Sequence, residues 1–381
     1  MSASSNASAA RAWVEIDLPA IDRNVGRIKQ ALPPHVRYVA VVKANAYGHG
    51  MPEVATRLLQ AGVDCFAVAN VAEAANLREI GHDADILLLS PTLPSELPRA
   101  LALGLDVTLN SLDEAQALAA AVAKSGLKAK VHVKVDTGMG RAGVWHEQAA
   151  ELFAFVQAAG FEWRGVFTHF SDADSDAAYT ANQRAIFLKL LERIPAAVRS
   201  GLMIHADNSA GLESFSASAP FNAVRVGLMQ YGLPPSSGSF LASLRPEPVL
   251  SFHARVVLVK DLPAGTAVSY NRTKTLSVQR AWPSSRSVMA MASRRLPATV
   301  VSSSCAANAV RFSVASPWTR PSWISPMSPP SPSAISPRSW VHRAPTVSPW
   351  PSSVPGLTVS HGKPFATLTQ RVQRVYRTDR T

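Results

Sequence analysis

From Trp13 onward the chain alternates short apolar runs with longer alanine- and leucine-rich stretches. The first run, Ala12–Ile16 (A-W-V-E-I), reads as a strand, and a helix follows from about Pro19 to Leu32. Eight apolar, often β-branched runs then recur: Val39–Val42, Cys65–Ala69, Ile86–Leu89, Asp106–Leu109, Val131–Val135, Gly165–His169, Met203–Ala206 and Ala223–Val226. The intervening segments, such as Asp113–Lys124 and Ala178–Arg193, favour helix. Strands alternating with helices predict an α/β protein with a parallel sheet, and eight such units predict a (β/α)8 barrel over residues 13–245.

A barrel places its reactive groups just beyond the strand ends. Lys43 closes the first run. Lys134, Asp136 and Arg141 lie in and after the fifth, within V-K-V-D-T-G-M-G-R. His169 closes the sixth, Asp207-Asn208-Ser209 follows the seventh, and Arg225, Gly227 and Tyr231 lie in and after the eighth. Each residue alone reads equally well as structural: a solvated strand-end lysine, a rim arginine, a core histidine, a helix-capping serine. Their shared position at one barrel face is harder to explain that way. A lysine at the mouth of a buried strand loses hydration, which lowers its pKa and makes it a usable amine for a Schiff base with an aldehyde cofactor.

The segment V-V-K-A-N-A-Y-G-H-G, from Val41 to Gly50, resembles the pyridoxal-phosphate lysine segment of alanine racemases. The resemblance runs from roughly Trp13 to Thr273. It implies pyridoxal 5′-phosphate carried on Lys43, with its phosphate held by Tyr47, Ser209 and Gly227, and Asn208 and Tyr231 also among the cofactor-binding residues. It implies Arg225 against the pyridine nitrogen, His169 near the ring, Arg141 on the substrate carboxylate, and Lys134 at a position carbamylated in some members. Tyr270, in A-V-S-Y-N-R-T, matches the family's V-S-Y-G and would be the second base, supplied by the partner subunit of a homodimer. Asn271 stands where the family has glycine. A permanent guanidinium at the ring nitrogen donates a hydrogen bond without protonating it, which implies a weaker electron sink. The resemblance also implies a mainly β C-terminal domain starting at 246–280, with the strand at 12–17 able to join it.

Charge changes this picture. The net charge is +12, yet residues 1–261 carry 23 basic and 25 acidic side chains, while 262–381 carry 15 basic ones and a single acid, Asp379. A nucleic-acid face would be a basic stripe on a folded domain; here the character of the sequence itself shifts. Residues 281–366 are rich in Ser, Pro and Trp, with runs such as S-P-M-S-P-P-S-P-S that cannot sit inside a sheet. Codons for W-P-S-S-R-S-V-M-A-M-A-S, read one base earlier, can give L-A-L-L-P-V-G-Y-G-D-G-F, which resembles the family's C-terminal domain. The segment 281–366 therefore reads as out of frame or disordered, and 367–381 as family-like again. A chain so altered is expected to lose activity.

Residues 1–12 read as a flexible start without a signal-peptide core, no apolar run reaches membrane-spanning length, and Cys65 and Cys305 form no disulfide or metal pattern. A cytoplasmic, metal-free protein acting on alanine is expected. The alternatives are a pyridoxal-phosphate-binding barrel without turnover, a racemase of broader amino-acid specificity, and a decarboxylase or lyase of the same barrel type, which Arg225 opposes.

Overall fold

The computed structural model describes residues 12–215, 220–234, 240–254, 256–262, 265–268, 274–275, 285–290, 299–302 and 372–378. Residues 1–11, Tyr270 and most of 281–366 lie outside them, as do the expectations placed there. The chain forms two compact units, one spanning Leu18–Glu247 and another gathering strands from both sides of it in sequence.

In the Leu18–Glu247 unit, eight parallel strands form one sheet: β2 (Arg37–Val41), β3 (Cys65–Val68), β4 (Asp85–Leu88), β5 (Asp106–Leu109), β6 (Lys130–Asp136), β8 (Glu162–Phe167), β9 (Met203–His205) and β10 (Ala223–Val226). Their order is β10-β2-β3-β4-β5-β6-β8-β9, so the last strand lies beside the first. Main-chain bonds from Asn222 N to Ile204 O (3.1 Å) and from Arg225 N to Asp207 O (2.9 Å) link β10 to β9 and close the circle. All eight runs read from the sequence are strands of this barrel. A further two-residue strand, β7 (Val144–Trp145), pairs with the end of β6.

The strands are buried almost throughout, because helices cover them outside and side chains fill the interior. Val39, Val41, Cys65, Ala67, Leu87, Met203 and Ala223 pack as one interior cluster. The helices start at side-chain caps that satisfy otherwise orphaned amides. Asn70 caps Val71–Arg78, Ser111 caps Leu112–Ser125 and Asp176 caps Ala177–Leu191. Glu114 accepts from Asn110 N just before the Ser111 cap (2.8 Å), while Ser111 Oγ accepts from Glu114 N (3.2 Å), a reciprocal arrangement close to a capping box.

In the other unit, β1 (Ala12–Asp17) lies between β11 (Leu250–Ala254), antiparallel to it, and β17 (Gln373–Arg377), parallel to it. β12 (Val256–Leu262), β15 (Ser285–Ala290) and β16 (Thr299–Ser302) form an antiparallel sheet, and β13 (Ala267–Val268) pairs with β14 (Lys274–Thr275). Two short strands fall inside 281–366. Both are proline-free fragments, S-R-S-V-M-A and T-V-V-S, that can complete a ladder.

Candidate active site

Residues two apart in a strand face the same way. Val39 and Val41 line the interior cluster, and the same parity carries Lys43 to the end of β2. His132, Lys134 and Asp136 repeat this on β6, Phe167 and His169 at the end of β8, Met203, His205 and Asp207 at β9, and Ala223, Arg225 and Gly227 at β10.

Lys43 opens an unusual turn. Ala44, Asn45, Ala46 and Tyr47 all adopt left-handed backbone, with φ of 53°, 55°, 53° and 52°. Each such non-glycine residue costs roughly 1–2 kcal/mol, so the surroundings must enforce the conformation. Glu73 does so from the next unit: its carboxylate accepts from Ala44 N and from Ala69 N, both at 2.8 Å. Asn45 Oδ1 accepts from Met51 N (2.7 Å), and the amides of Gly48 and Gly50 return to the Asn45 carbonyl at 3.0 Å.

The turn carries Tyr47 to β10, where a Cβ on Gly227 would stand 2.8 Å from the Tyr47 hydroxyl. Ser209 Oγ accepts from Gly227 N (2.9 Å) and more weakly from Met229 N (3.4 Å). Tyr47, Ser209 and the bare backbone at Gly227 thus meet in a cradle suited to a phosphate. Tyr231 and Asn208 act one step behind it. The Tyr231 hydroxyl donates to Val41 O (3.1 Å) and its ring stacks on His49 with centroids 4.5 Å apart. Asn208 Oδ1 accepts from Gly211 N (2.8 Å).

Arg225 is buried, at 3% exposure. Its Nη2 donates to Thr168 O (2.8 Å) and Ala206 O (2.9 Å) and approaches His169 Nδ1 (3.2 Å); Nη1 donates to His205 Nδ1 (2.8 Å). Burial lowers its pKa to about 10, against the charge of Asp207, so it remains a cation at neutral pH. Phe167 lies beneath the guanidinium, 5.1 Å from its centre.

The surrounding groups feel one another. Burial and then the charge of Arg141 lower the Lys43 pKa, with Glu73 opposing. Burial, Arg141 and Arg225 push Lys134 down to about 8. Burial would raise the Asp136 carboxyl, but the amides of Gly138, Gly140, Met139 and Arg141 outweigh it and hold it anionic. That carboxylate shapes the loop bearing Arg141, accepting from Gly138 N, Met139 N and Arg141 N at 2.9, 2.8 and 3.2 Å. His169 is pushed well below its ordinary pKa by burial, then by Arg225 and Arg141. The ring is therefore neutral at neutral pH, and because a guanidinium only donates, its Nδ1 accepts from Arg225 and its proton sits on Nε2.

Lys43, Lys134, Arg141 and Arg225 therefore share one field. Of the nearby carboxylates, Glu73 and Asp136 are spent on backbone amides and Asp207 on Arg184. Such a cluster is stable with anions in it, and a phosphate with a substrate carboxylate supplies them. The donor set, the amine and the glycine-lined cradle fit pyridoxal 5′-phosphate.

Sequence reasoning did not assign roles to Glu73, His205, His132 or Gln183. Gln183 donates to Thr137 Oγ1 (3.4 Å) and His169 O (3.3 Å), tying the Arg141 loop to the His169 end of β8. His205 and His132 were within reach, since each lies two residues before a residue already singled out, Asp207 and Lys134.

Comparison with known proteins places the barrel among relatives. The family described as alanine racemase, N-terminal domain, matches residues 16–235. An alanine racemase from Streptococcus pyogenes is 40% identical over 261 residues, covering 68% of this chain and 70% of that protein. The solved alanine racemase of Clostridium difficile superposes with a TM-score of 0.67 at 28% identity, over 77% of this chain and 80% of that one. A histidine racemase from Leuconostoc mesenteroides superposes at 0.62 with 26% identity, over 74% of each chain. Sequence, barrel and site geometry converge, and the chain belongs to the alanine racemase family.

Proposed function

We propose that this chain is built to interconvert L- and D-alanine with pyridoxal 5′-phosphate attached at Lys43. The observation that carries the reading is the pairing of a desolvated amine, Lys43, with a buried permanent cation, Arg225, whose charge is met on its own hydrogen bonds only by neutral acceptors.

When bound, the cofactor supplies an electron-withdrawing ring that acidifies the hydrogen on the substrate's α-carbon. Lys43 Nζ, neutral more readily than an ordinary lysine, removes or returns that proton on one face and serves the D-substrate. Tyr270 of the partner subunit serves the L-substrate from the other face, which makes the homodimer the active form. Arg225 Nε–H takes no partner among the described residues and would be the donor for the ring nitrogen. His169, neutral, relays a hydrogen bond from Arg225 toward the second base. Tyr47, Ser209 and Gly227 hold the phosphate, and Arg141 the substrate carboxylate.

Lys134 is the carbamylation site. At a pKa of about 8 its neutral amine is present near neutrality; it adds carbon dioxide, loses a proton, and converts a cation among cations into an anion that orients Arg141. Residues 281–366 are a frame-shifted replacement of the C-terminal domain, so the chain as written turns over poorly while the barrel keeps its cofactor site.

The test has two arms. The full chain, given pyridoxal phosphate and then borohydride, is expected to carry a reduced adduct on Lys43 by peptide mass. The frame-restored chain is expected to release D-alanine from L-alanine in a D-amino-acid-oxidase-coupled assay. An adduct on another lysine, or no exchange by the restored chain, overturns the reading. The kinship with a histidine racemase supports broader substrate acceptance as the second reading; the same assay with L-serine and L-histidine decides it.

A further inference from the structure

Arg225 is not aimed by the backbone alone. Its Nη1 donates to His205 Nδ1 at 2.8 Å, and His205 Nε2 lies 3.2 Å from His132 Nδ1. His132 Nε2 lies 3.5 Å from Asp106 Oδ2. The four side chains come from β10, β9, β6 and β5 and cross the barrel interior in single file. All are sealed off: His132 and His205 at 0% exposure, Asp106 at 1% and Arg225 at 3%. His205 lies flat on Phe167, with centroids 4.7 Å apart and planes 10° from parallel.

The fold makes room for this file. A Cβ on Gly165 of β8 would stand 2.5 Å from both Cε1 and Nδ1 of the His132 ring. The His132 imidazole occupies the space that a side chain at 165 would take. Among the described residues neither oxygen of the Asp106 carboxylate nor His132 Nε2 makes a hydrogen bond, and at 3.5 Å the two groups face each other. Polar groups so buried are normally satisfied, and an exception calls for a reason.

The direction of the file follows from its first member. A guanidinium has donors and no acceptor. His205 Nδ1 must therefore accept, and a neutral His205 carries its proton on Nε2. That proton needs an acceptor, which makes His132 Nδ1 a lone pair and His132 Nε2 the protonated nitrogen, facing Asp106. A proton on either Nδ1 would set two donors against each other. Burial, then Arg225 and His132, hold His205 far below its ordinary pKa and so keep it neutral.

We infer that Asp106, His132 and His205 are positioning residues: a donor-ordered file through the barrel core that fixes the plane of the Arg225 guanidinium. Carbonyls grip Nη2, and a group held at one nitrogen can still pivot; the His205 bond at Nη1 removes that freedom. The Nε–H of Arg225 then keeps one direction. The inference rests on the proposed role of Arg225 at the ring nitrogen, but the order of the file does not.

The test is nitrogen-15 NMR of the full chain labelled at histidine and arginine, without cofactor, with His132→Gln and His205→Gln assigning the rings. Both rings are expected to be neutral, with a pyridine-type Nδ1 and a pyrrole-type Nε2. Asp106→Asn keeps an accepting oxygen and is expected to retain both signatures. Asp106→Leu removes it, and is expected to give mixed His132 tautomers, shifted Arg225 Nη signals and pyridoxal-phosphate affinity weakened about tenfold, the worth of one polar contact that keeps the file in order. A protonated Nδ1 on either ring of the parent chain overturns the inference. So do unmoved Arg225 signals in a folded Asp106→Leu. If that variant does not fold, the parent and Asp106→Asn spectra still decide. Borohydride trapping at Lys43 tests the cofactor reading separately, so either can fail alone.

Discussion

Replacing Lys134 by methionine should make the cofactor-free chain more stable at neutral pH, although it deletes a buried charge that looks important. Lys134 is 4% exposed, and its Nζ sits 5.7 Å over the Phe167 ring. Burial, Arg141 and Arg225 lower its pKa from 10.5 to about 8. Below pH 8 the amine is charged in both states and the folded state bears the full penalty. Between about 8 and 10.5 the unfolded chain holds a proton that the folded one has released, so stability rises with pH. Above that window the penalty is gone. A depression of this size corresponds to roughly 3 kcal/mol, from which the lost cation–π contact subtracts about 1 kcal/mol. Lys134→Met keeps an apolar stem of similar length. In urea titrations in carbon-dioxide-free buffer it should gain roughly 2 kcal/mol at pH 7 and almost nothing near pH 10.5. Bicarbonate should then stabilise the parent and leave the variant unchanged, because only the parent can form a carbamate. A pH-independent difference, or destabilisation at pH 7, refutes the reasoning.

Three further outcomes follow from the geometry. Ala44→Gly should stabilise by about 0.5–1 kcal/mol in thermal or urea unfolding, the relief of left-handed strain less the added unfolded-state entropy; Ala46→Gly, at a fully buried methyl, should come out near zero because lost burial offsets the relief. Gly227→Ala puts a Cβ 2.8 Å from the Tyr47 hydroxyl and should weaken pyridoxal-phosphate binding at least tenfold by absorbance titration, about the worth of a charge-assisted bond, while leaving circular dichroism unchanged. Sequencing the coding DNA should show alternative codons across 281–366 and a compensating shift at each end; codons unable to encode the shifted strings end the frame proposal.

The barrel was legible because each strand is covered on both faces and so reads as an unbroken apolar run, whereas the two-residue β7 carries too little pattern to find. The positions of Lys43, Arg225 and Ser209 were legible from their places at strand ends. The left-handed turn was not: of its four residues only Asn45 is a type that tolerates positive φ, and the restraint comes from Glu73, 29 residues away from Ala44. The charge state of His169 was also hidden, since it depends on its burial in the folded barrel and then on four cations delivered by separate strands and loops. His205 and His132 were reachable in position, two residues before Asp207 and Lys134, but not in role: inside an apolar strand, a histidine looks like filler until its neighbours on other strands are known.

The two main-chain bonds that join β9 to β10 have a consequence for folding. One of them is donated by the amide of Arg225 itself, and Ser209 reaches across the same junction to the amide of Gly227. The barrel is thus zipped shut at the strand pair whose loops would grip a phosphate. Occupancy and circularity become one equilibrium: a loaded site rivets the zipper, and an empty one leaves it the first place to gape. In hydrogen–deuterium exchange the amides of Asn222, Arg225 and Gly227 should be among the earliest barrel amides to exchange, and the ones most slowed when pyridoxal phosphate is added.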